Sequence, residues 1–179
     1  MKTSMRLIGL TGTNAAGKGE AATFFIQHGY AYFSLSDLIR EELQEKQMEL
    51  TRDNLIKTGN RLREDFGPDV LARRILKRID ADAIIDSIRN PHEIQHLQSH
   101  PNFILIALDA PVEIRYERAQ ERGRNESASS LQAFIQKESE EMTVQATAQQ
   151  LNTCMQMANY TVINDGTLVD LHTKLEAFL

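Results

Sequence analysis

The chain has 179 residues and a mass of 20.3 kDa, which fits one domain with one sizeable core. Its 20 Lys and Arg against 25 Asp and Glu leave a net charge of −5, which argues against a general nucleic-acid binder, and an apolar content of 41% rules out a disordered chain. A lone cysteine, Cys154, excludes an internal disulfide and a thiolate zinc cluster and fits a reducing compartment.

The first apolar run, Leu7–Thr11, reads as a buried strand and is too short for the core of a secretory signal. The stretch Gly12-Thr13-Asn14-Ala15-Ala16-Gly17-Lys18-Gly19-Glu20 follows, with Gly-x-x-x-x-Gly-Lys from Gly12 to Lys18. A strand that turns here into the helix of Ala21-Ala22-Thr23-Phe24-Phe25-Ile26 leaves the first amides of that helix without partners. Such amides close around phosphate oxygens. Gly12 and Gly17 let the backbone bend around the anion. Lys18 supplies a mobile point charge for the β and γ phosphates. Where a magnesium-binding Ser or Thr usually follows the lysine, this chain has Gly19 and then Glu20.

A second strand is predicted at Ala31–Ser34, leading into Leu35-Ser36-Asp37-Leu38-Ile39-Arg40. An arginine one turn into a helix, just past a strand's C-terminal end, can fork onto a phosphate, and Arg40 stands there. Glu41 and Glu45 are its expected partners if it only decorates the surface. Thr51 caps a helix through Arg63 that carries Arg52, Lys57 and Arg61, and Gly67-Pro68 opens another. The strand Ala83–Asp86 ends on an acid, with Arg89 just beyond. Asn90-Pro91-His92-Glu93 has the cap, proline and early acid of a helix start.

The strand Phe103–Leu108 precedes a helix from near Pro111, on which Arg115, Arg118 and Arg122 share one face with Arg124 close behind. The stretch Asn125 to Ser130 is short and polar. Met142 to Asn164 is uncharged but too rich in Gln, Asn and Thr to cross a bilayer, so the protein is expected to be soluble and cytoplasmic. Tyr160–Ile163 is the last strand, and Thr167-Leu168-Val169-Asp170 has capping-box form. His92 and His96 lie one turn apart without a third ligand, so the histidines read as surface residues, and Cys154, Met155 and Met157 read as packing. Short apolar strands alternating with helices predict a three-layer α/β fold around a parallel sheet of about five strands, each buried on both faces.

With these motifs in place, the chain resembles the nucleoside monophosphate kinase superfamily of P-loop proteins, and within it the small dephospho-CoA-kinase-like proteins. Phe33–Arg40 is similar to the adenylate kinase stretch Ser-Thr-Gly-Asp-Met-Leu-Arg, and Ile84-Ile85-Asp86-Ser87-Ile88-Arg89 to Leu-Asp-Gly-Phe-Pro-Arg, one residue shorter. Ala158 to Leu168 resembles the dephospho-CoA kinase ending Ala-Asp-Tyr-x-Ile-x-Asn-x-Gly-Ser/Thr-Leu.

The resemblance implies a P-loop kinase fold over residues 1–179, with acceptor-side helices at about 35–80 and a short lid at about 122–137. ATP is the implied donor, bound by Gly12 to Glu20 together with Asn164 and Gly166. Asp37, Arg40 and Arg89 would bind the acceptor; Lys18, Arg89, Arg118 and Arg122 would be catalytic; Asp86 would hold Mg2+ through water. The dephospho-CoA kinases carry a base where Leu35 stands, so a nucleoside or deoxynucleoside monophosphate is the favoured acceptor over a ribose hydroxyl. Ala15, Gly19 and Glu20 depart from the kinase loop and motivate two further readings: a nucleotide-binding sensor and a plain NTPase. No nucleic-acid or membrane partner is expected.

Overall fold

The computed structural model describes residues 5–122, 129–143 and 150–179. Strands β1 (Leu7–Gly12), β2 (Ala31–Ser34), β3 (Ala83–Asp86), β4 (Phe103–Asp109) and β5 (Tyr160–Ile163) form one sheet in the order β2-β3-β1-β4-β5. Every pairing is parallel, with Leu7 opposite both Ala83 and Phe103, and Ser34 opposite Asp86. The three central strands are buried on both faces, as their continuous apolar runs demand. The expectation of burial on both faces fails for β2 and β5, where Tyr32 is 42% and Tyr160 50% exposed. These are the sheet edges, and the crossover order that puts them there is not encoded in four-residue segments.

Alternation along the strands divides the core. Leu7, Ile85 and Leu105 face one layer with helices α2 (Leu35–Glu45), α3 (Arg52–Phe66), α4 (Val70–Leu76), α5 (Pro91–Leu97) and α8 (Leu151–Gln156). Ile8, Ile84 and Ile106 face α1 (Lys18–Gln27) and α9 (Leu168–Glu176) on the other side. Helices α6 (Val112–Glu121) and α7 (Leu131–Thr143) pack on each other after β4. Cys154 is fully buried and its thiol is pushed up to about 12, first by burial, consistent with packing rather than redox chemistry. No helix among the described residues is long and apolar enough to cross a membrane.

Helix starts follow local chemistry. The Asn90 side chain accepts from the His92 amide (2.9 Å) and Thr51 from the Asn54 amide (3.2 Å). The helix after Thr51 runs on to Phe66, three residues past the expected Arg63. The expected start at Gly67-Pro68 is displaced to Val70, because Asp69 takes the cap position. Thr167 and Asp170 form the predicted capping box, with Thr167 N to Asp170 Oδ2 at 2.7 Å and Asp170 N to Thr167 Oγ1 at 3.2 Å. Replacing Thr167 by Ala should therefore cost about 1 kcal/mol and lower Tm by about 2–4 °C. An unchanged melting curve would show that the box contributes nothing to α9.

Candidate functional site

The phosphate loop lies at the C-terminal end of β1, in the middle of the sheet, where parallel strands leave their crevices. Gly12 has φ 139°, and a Cβ there would sit 2.0 Å from the Leu108 carbonyl oxygen. Gly17 has φ 102°, and its Cβ would lie 2.3 Å from Asn164 Nδ2. Both positions thus exclude a side chain for reasons of contact as well as backbone angle. Ala15 adopts φ 59° without being glycine, a strained conformation of the kind that clusters at binding sites.

Lys18 Nζ donates to the carbonyls of Gly12 (2.9 Å) and Thr13 (2.8 Å), so the loop wraps its own ammonium. Its pKa falls from 10.5 to about 8, first through burial, then through the positive charge of Arg89; Asp86 opposes this, and Arg122 and Arg115 add to it. The fold has therefore gathered residues from the ends of β3 and α6 around the lysine, although they are distant in sequence.

The loop is braced from the β4 and β5 side. Thr13 Oγ1 donates to Asp109 Oδ1 (2.7 Å), which also accepts from the Ala110 amide (2.9 Å). Asn164 is buried; its Nδ2 donates to the Ala16 carbonyl (2.9 Å) and its own amide donates to the Asp109 carbonyl (2.8 Å). Beside them opens a cleft of about 400 Å3 lined by Gly17, Glu20, Arg118, Arg122, Gly166 and Leu168. Arg118 Nη1 is buried and has no hydrogen-bond partner among the described residues. A buried donor of that kind is costly unless something answers it.

On the β2 side, the Ser34, Ser36 and Ser87 hydroxyls converge at 2.8, 3.0 and 3.3 Å. Asp86 Oδ1 accepts from the Ser87 amide (2.6 Å) and Oδ2 from the Tyr32 hydroxyl (3.0 Å). Burial, helped by the Asp86 charge, lifts the Tyr32 phenol to about 12. Arg40 Nη1 donates to Ser36 Oγ (3.0 Å) and to Asp37 Oδ1 (2.7 Å), so its neighbour is Asp37 rather than Glu41 or Glu45. Glu41 pairs instead with Arg78.

Below Arg89, the wholly buried Glu93 takes the Arg63 guanidinium on Oε1 at 3.1 and 2.8 Å, while Oε2 has no hydrogen-bond partner among the described residues. Its carboxyl is pushed up because burial outweighs Arg63 and the Arg89 and Asn90 amides. Arg63 is thus a core partner. Lys57 and Asp53 form an exposed pair on the solvated face expected of α3.

The expected face of lid arginines divides. Arg118 and Arg122 reach the cleft. Arg115 is buried behind the loop and bound to Glu138 on α7. The helical wheel places it on the same face, but proximity to the β4 end decides its role. Arg124 and residues 123–128 of the expected lid lie outside the described residues. Asp109, Glu138, Tyr32 and Glu93 were not legible as site residues. Asp109 did carry one signal: like Asp86, it is the first acid after an apolar strand beside the loop.

The donors present suit a hard cation that keeps its water. Asp86 offers a partly exposed carboxylate near Lys18. Beyond its own chain neighbours and the backbone of its helix, no described atom lies within 4 Å of where a Gly19 Cβ would be, which leaves room for solvent in place of a hydroxyl. Among the described residues no group of three or more His, Cys, Asp or Glu could hold a metal by itself. A single carboxylate with room for solvent fits Mg2+ arriving with phosphate and its own water.

A family profile described as an AAA domain matches residues 8–144. The UPF0200 protein MJ1399 of Methanocaldococcus jannaschii is 28% identical over 181 residues, covering 98% of this chain and 89% of that protein. The crystal structure of TT1252 from Thermus thermophilus superposes with a TM-score of 0.66 at 21% identity, covering 98% of this chain and 97% of that one. Shikimate kinase from Acinetobacter baumannii in complex with shikimate gives 0.53 at 16% identity, covering 98% and 93%. Dephospho-CoA kinase from Campylobacter jejuni gives 0.52 at 12%, covering 98% and 96%. The five-stranded parallel sheet flanked by helices is therefore a P-loop kinase fold.

Proposed function

Because the chain belongs to the AAA domain family of P-loop NTPases, we propose that it is an ATP-dependent phosphotransferase acting on a small nucleotide, most simply a nucleoside or deoxynucleoside monophosphate. The observation that carries this reading is the electrostatic neighbourhood of Lys18, into which Arg89, Arg122 and Asp86 are drawn from separate elements. Phosphoryl transfer asks for little else: positioned reactants and cations aimed at the migrating charge.

In this reading the amides of residues 13–19 and Lys18 hold the donor's phosphates. Arg118 and Arg122 approach from the cleft that would take the rest of the donor, with Asn164 behind the loop and Gly166 at its mouth. Arg40, Asp37 and Arg89 receive the acceptor. Asp86 would hold, through water, a Mg2+ brought with the triphosphate, which would supply charge neutralisation there. A phosphate acceptor is already an anion and needs no base. Leu35 is fully buried in the core, which supports this class over a hydroxyl acceptor such as dephospho-CoA.

The test is formation of ADP and a nucleoside diphosphate from ATP, Mg2+ and a panel of monophosphates, run beside dephospho-CoA. ADP released at the same rate without any acceptor would mean an NTPase. Tight ATP binding without turnover would mean a sensor. Arg40→Ala should raise the acceptor's KM about tenfold or more and leave the ATP KM within about twofold. Equal effects on both substrates would remove Arg40 from the acceptor side.

A further inference from the structure

Arg115 occupies a position that the reading above does not use. The residue as a whole is 6% exposed. Nε donates to the Ala110 carbonyl at 2.8 Å, Nη2 donates to Glu138 Oε2 at 2.9 Å, and Nη1 donates to Glu138 Oε1 and, at 3.4 Å, to the Asn14 carbonyl of the phosphate loop. The Phe134 ring lies beside it, 5.8 Å from centroid to Cζ, and Phe134 also meets Tyr116 of α6. Asp109 Oδ1, the acceptor for the Thr13 hydroxyl, is 3.8 Å from Nε and so just outside hydrogen-bond range.

One buried cation thus touches the loop directly at Asn14 and stands beside the carboxylate that holds Thr13. Its charge is matched by a side chain on α7, the helix that follows residues 123–128. Two acidic groups, Asp109 and Glu138, compete for it. With Glu138 in place, the bidentate pair keeps the guanidinium turned toward α7, and Asp109 stays free for Thr13. Without that charge, a buried guanidinium is drawn to the nearest remaining carboxylate, which is Asp109. The Thr13 hydroxyl then shares or loses its acceptor, and Asn14 loses the fixed donor opposite its carbonyl.

We infer that Arg115 is a positioning residue for the phosphate loop, held in register by Glu138, so that the seat of α7 on α6 sets the shape in which the loop meets a ligand. The effect on nucleotide binding rests on the proposed function; the effect on the loop does not. The experiment is therefore amide hydrogen exchange on the full chain, first without nucleotide, comparing wild type with Glu138→Gln and Arg115→Lys. Gln keeps the shape and one acceptor but removes the charge. In Glu138→Gln the bonded loop amides, Thr13 to the Leu108 carbonyl (3.3 Å) and Ala16 to the Thr13 carbonyl (3.4 Å), should exchange about tenfold faster or more, while those of β3 stay within about twofold. Exchange that rises equally in β3 would mean general loosening and overturn the inference, as would unchanged loop exchange. Arg115→Lys should act in the same direction; if it does not fold, Glu138→Gln decides alone. A second measurement adds a non-hydrolysable ATP analogue. Wild type that gains no loop protection would overturn the nucleotide reading and leave the apo result standing. Wild type protected while Glu138→Gln binds the analogue about tenfold more weakly supports both.

Discussion

Replacing Lys18 by Met should raise the melting temperature of the nucleotide-free protein at pH 7 and reduce phosphoryl transfer by at least about a hundredfold. The two outcomes have one origin. Folding presses the ammonium among Arg89, Arg122 and Arg115 and out of water, and its pKa drops from 10.5 to about 8. The protonated form is thus less favoured in the folded chain than in the unfolded one. For a base with a lowered folded pKa the penalty is complete below about 8 and fades as pH rises toward 10.5.

That displacement corresponds to roughly 3 kcal/mol at most, and the partial exposure of the side chain reduces it. Against it stand the bonds to the Gly12 and Thr13 carbonyls, about 1 kcal/mol each. A net gain near 1 kcal/mol, or about 2–4 °C, is expected for the Met variant at pH 7, shrinking by pH 10. If Lys18 holds phosphate as proposed, an ATP analogue should then stabilise wild type and not the variant. A Met variant that melts lower at pH 7, or turns over at the wild-type rate, would remove Lys18 from its assigned place.

Arg63→Met is expected to cost about 3–5 kcal/mol at pH 7 and less at pH 5. Glu93 has no exposed surface, and Arg63 is the ion partner that compensates it. Removing Arg63 leaves a buried carboxylate with the amides of Arg89 and Asn90 near it. The carboxyl already sits above its ordinary 4.5 with the partner present, and it rises further without it. A raised carboxyl pKa means the folded state holds its proton to higher pH than the unfolded state does. Stability of the variant is therefore retained at low pH and lost as pH rises through the raised value. Chemical denaturation at pH 5 and pH 8 reads this directly. An equal deficit at both values would show that Glu93 is not the group responsible. The pair joins α3 to the start of α5, four and three residues from Arg89 and Asn90.

Some of this site could be read from local spacing. The loop from Gly12 to Lys18 is contiguous, and its chemistry follows from a strand, two glycines and a lysine in fixed order. The caps at Thr51, Asn90 and Thr167 are equally local, each a side chain answering an amide two or three residues away. Arg40 and Asp86 could be placed because both follow strand ends, and strand ends gather at one side of a parallel sheet. The surroundings of Arg115 could not be read by the same kind of rule. A helical wheel sorts residues around one axis and is silent about what stands across from it, here Asn14, Ala110 and Glu138.

Periodicity, punctuation and the glycine-lysine spacing were thus sufficient for the class of fold and for the strand-to-helix turn that carries the loop, since these depend on contacts among near neighbours in the chain. The folded chain alone decided which charges share a low-dielectric volume: Lys18 with Arg89 and Asp86, Arg63 with Glu93, Arg115 with Glu138. Coulomb energy and desolvation depend on distance through space and on excluded water, and neither quantity exists until the crossovers between β1, β3 and β4 have closed.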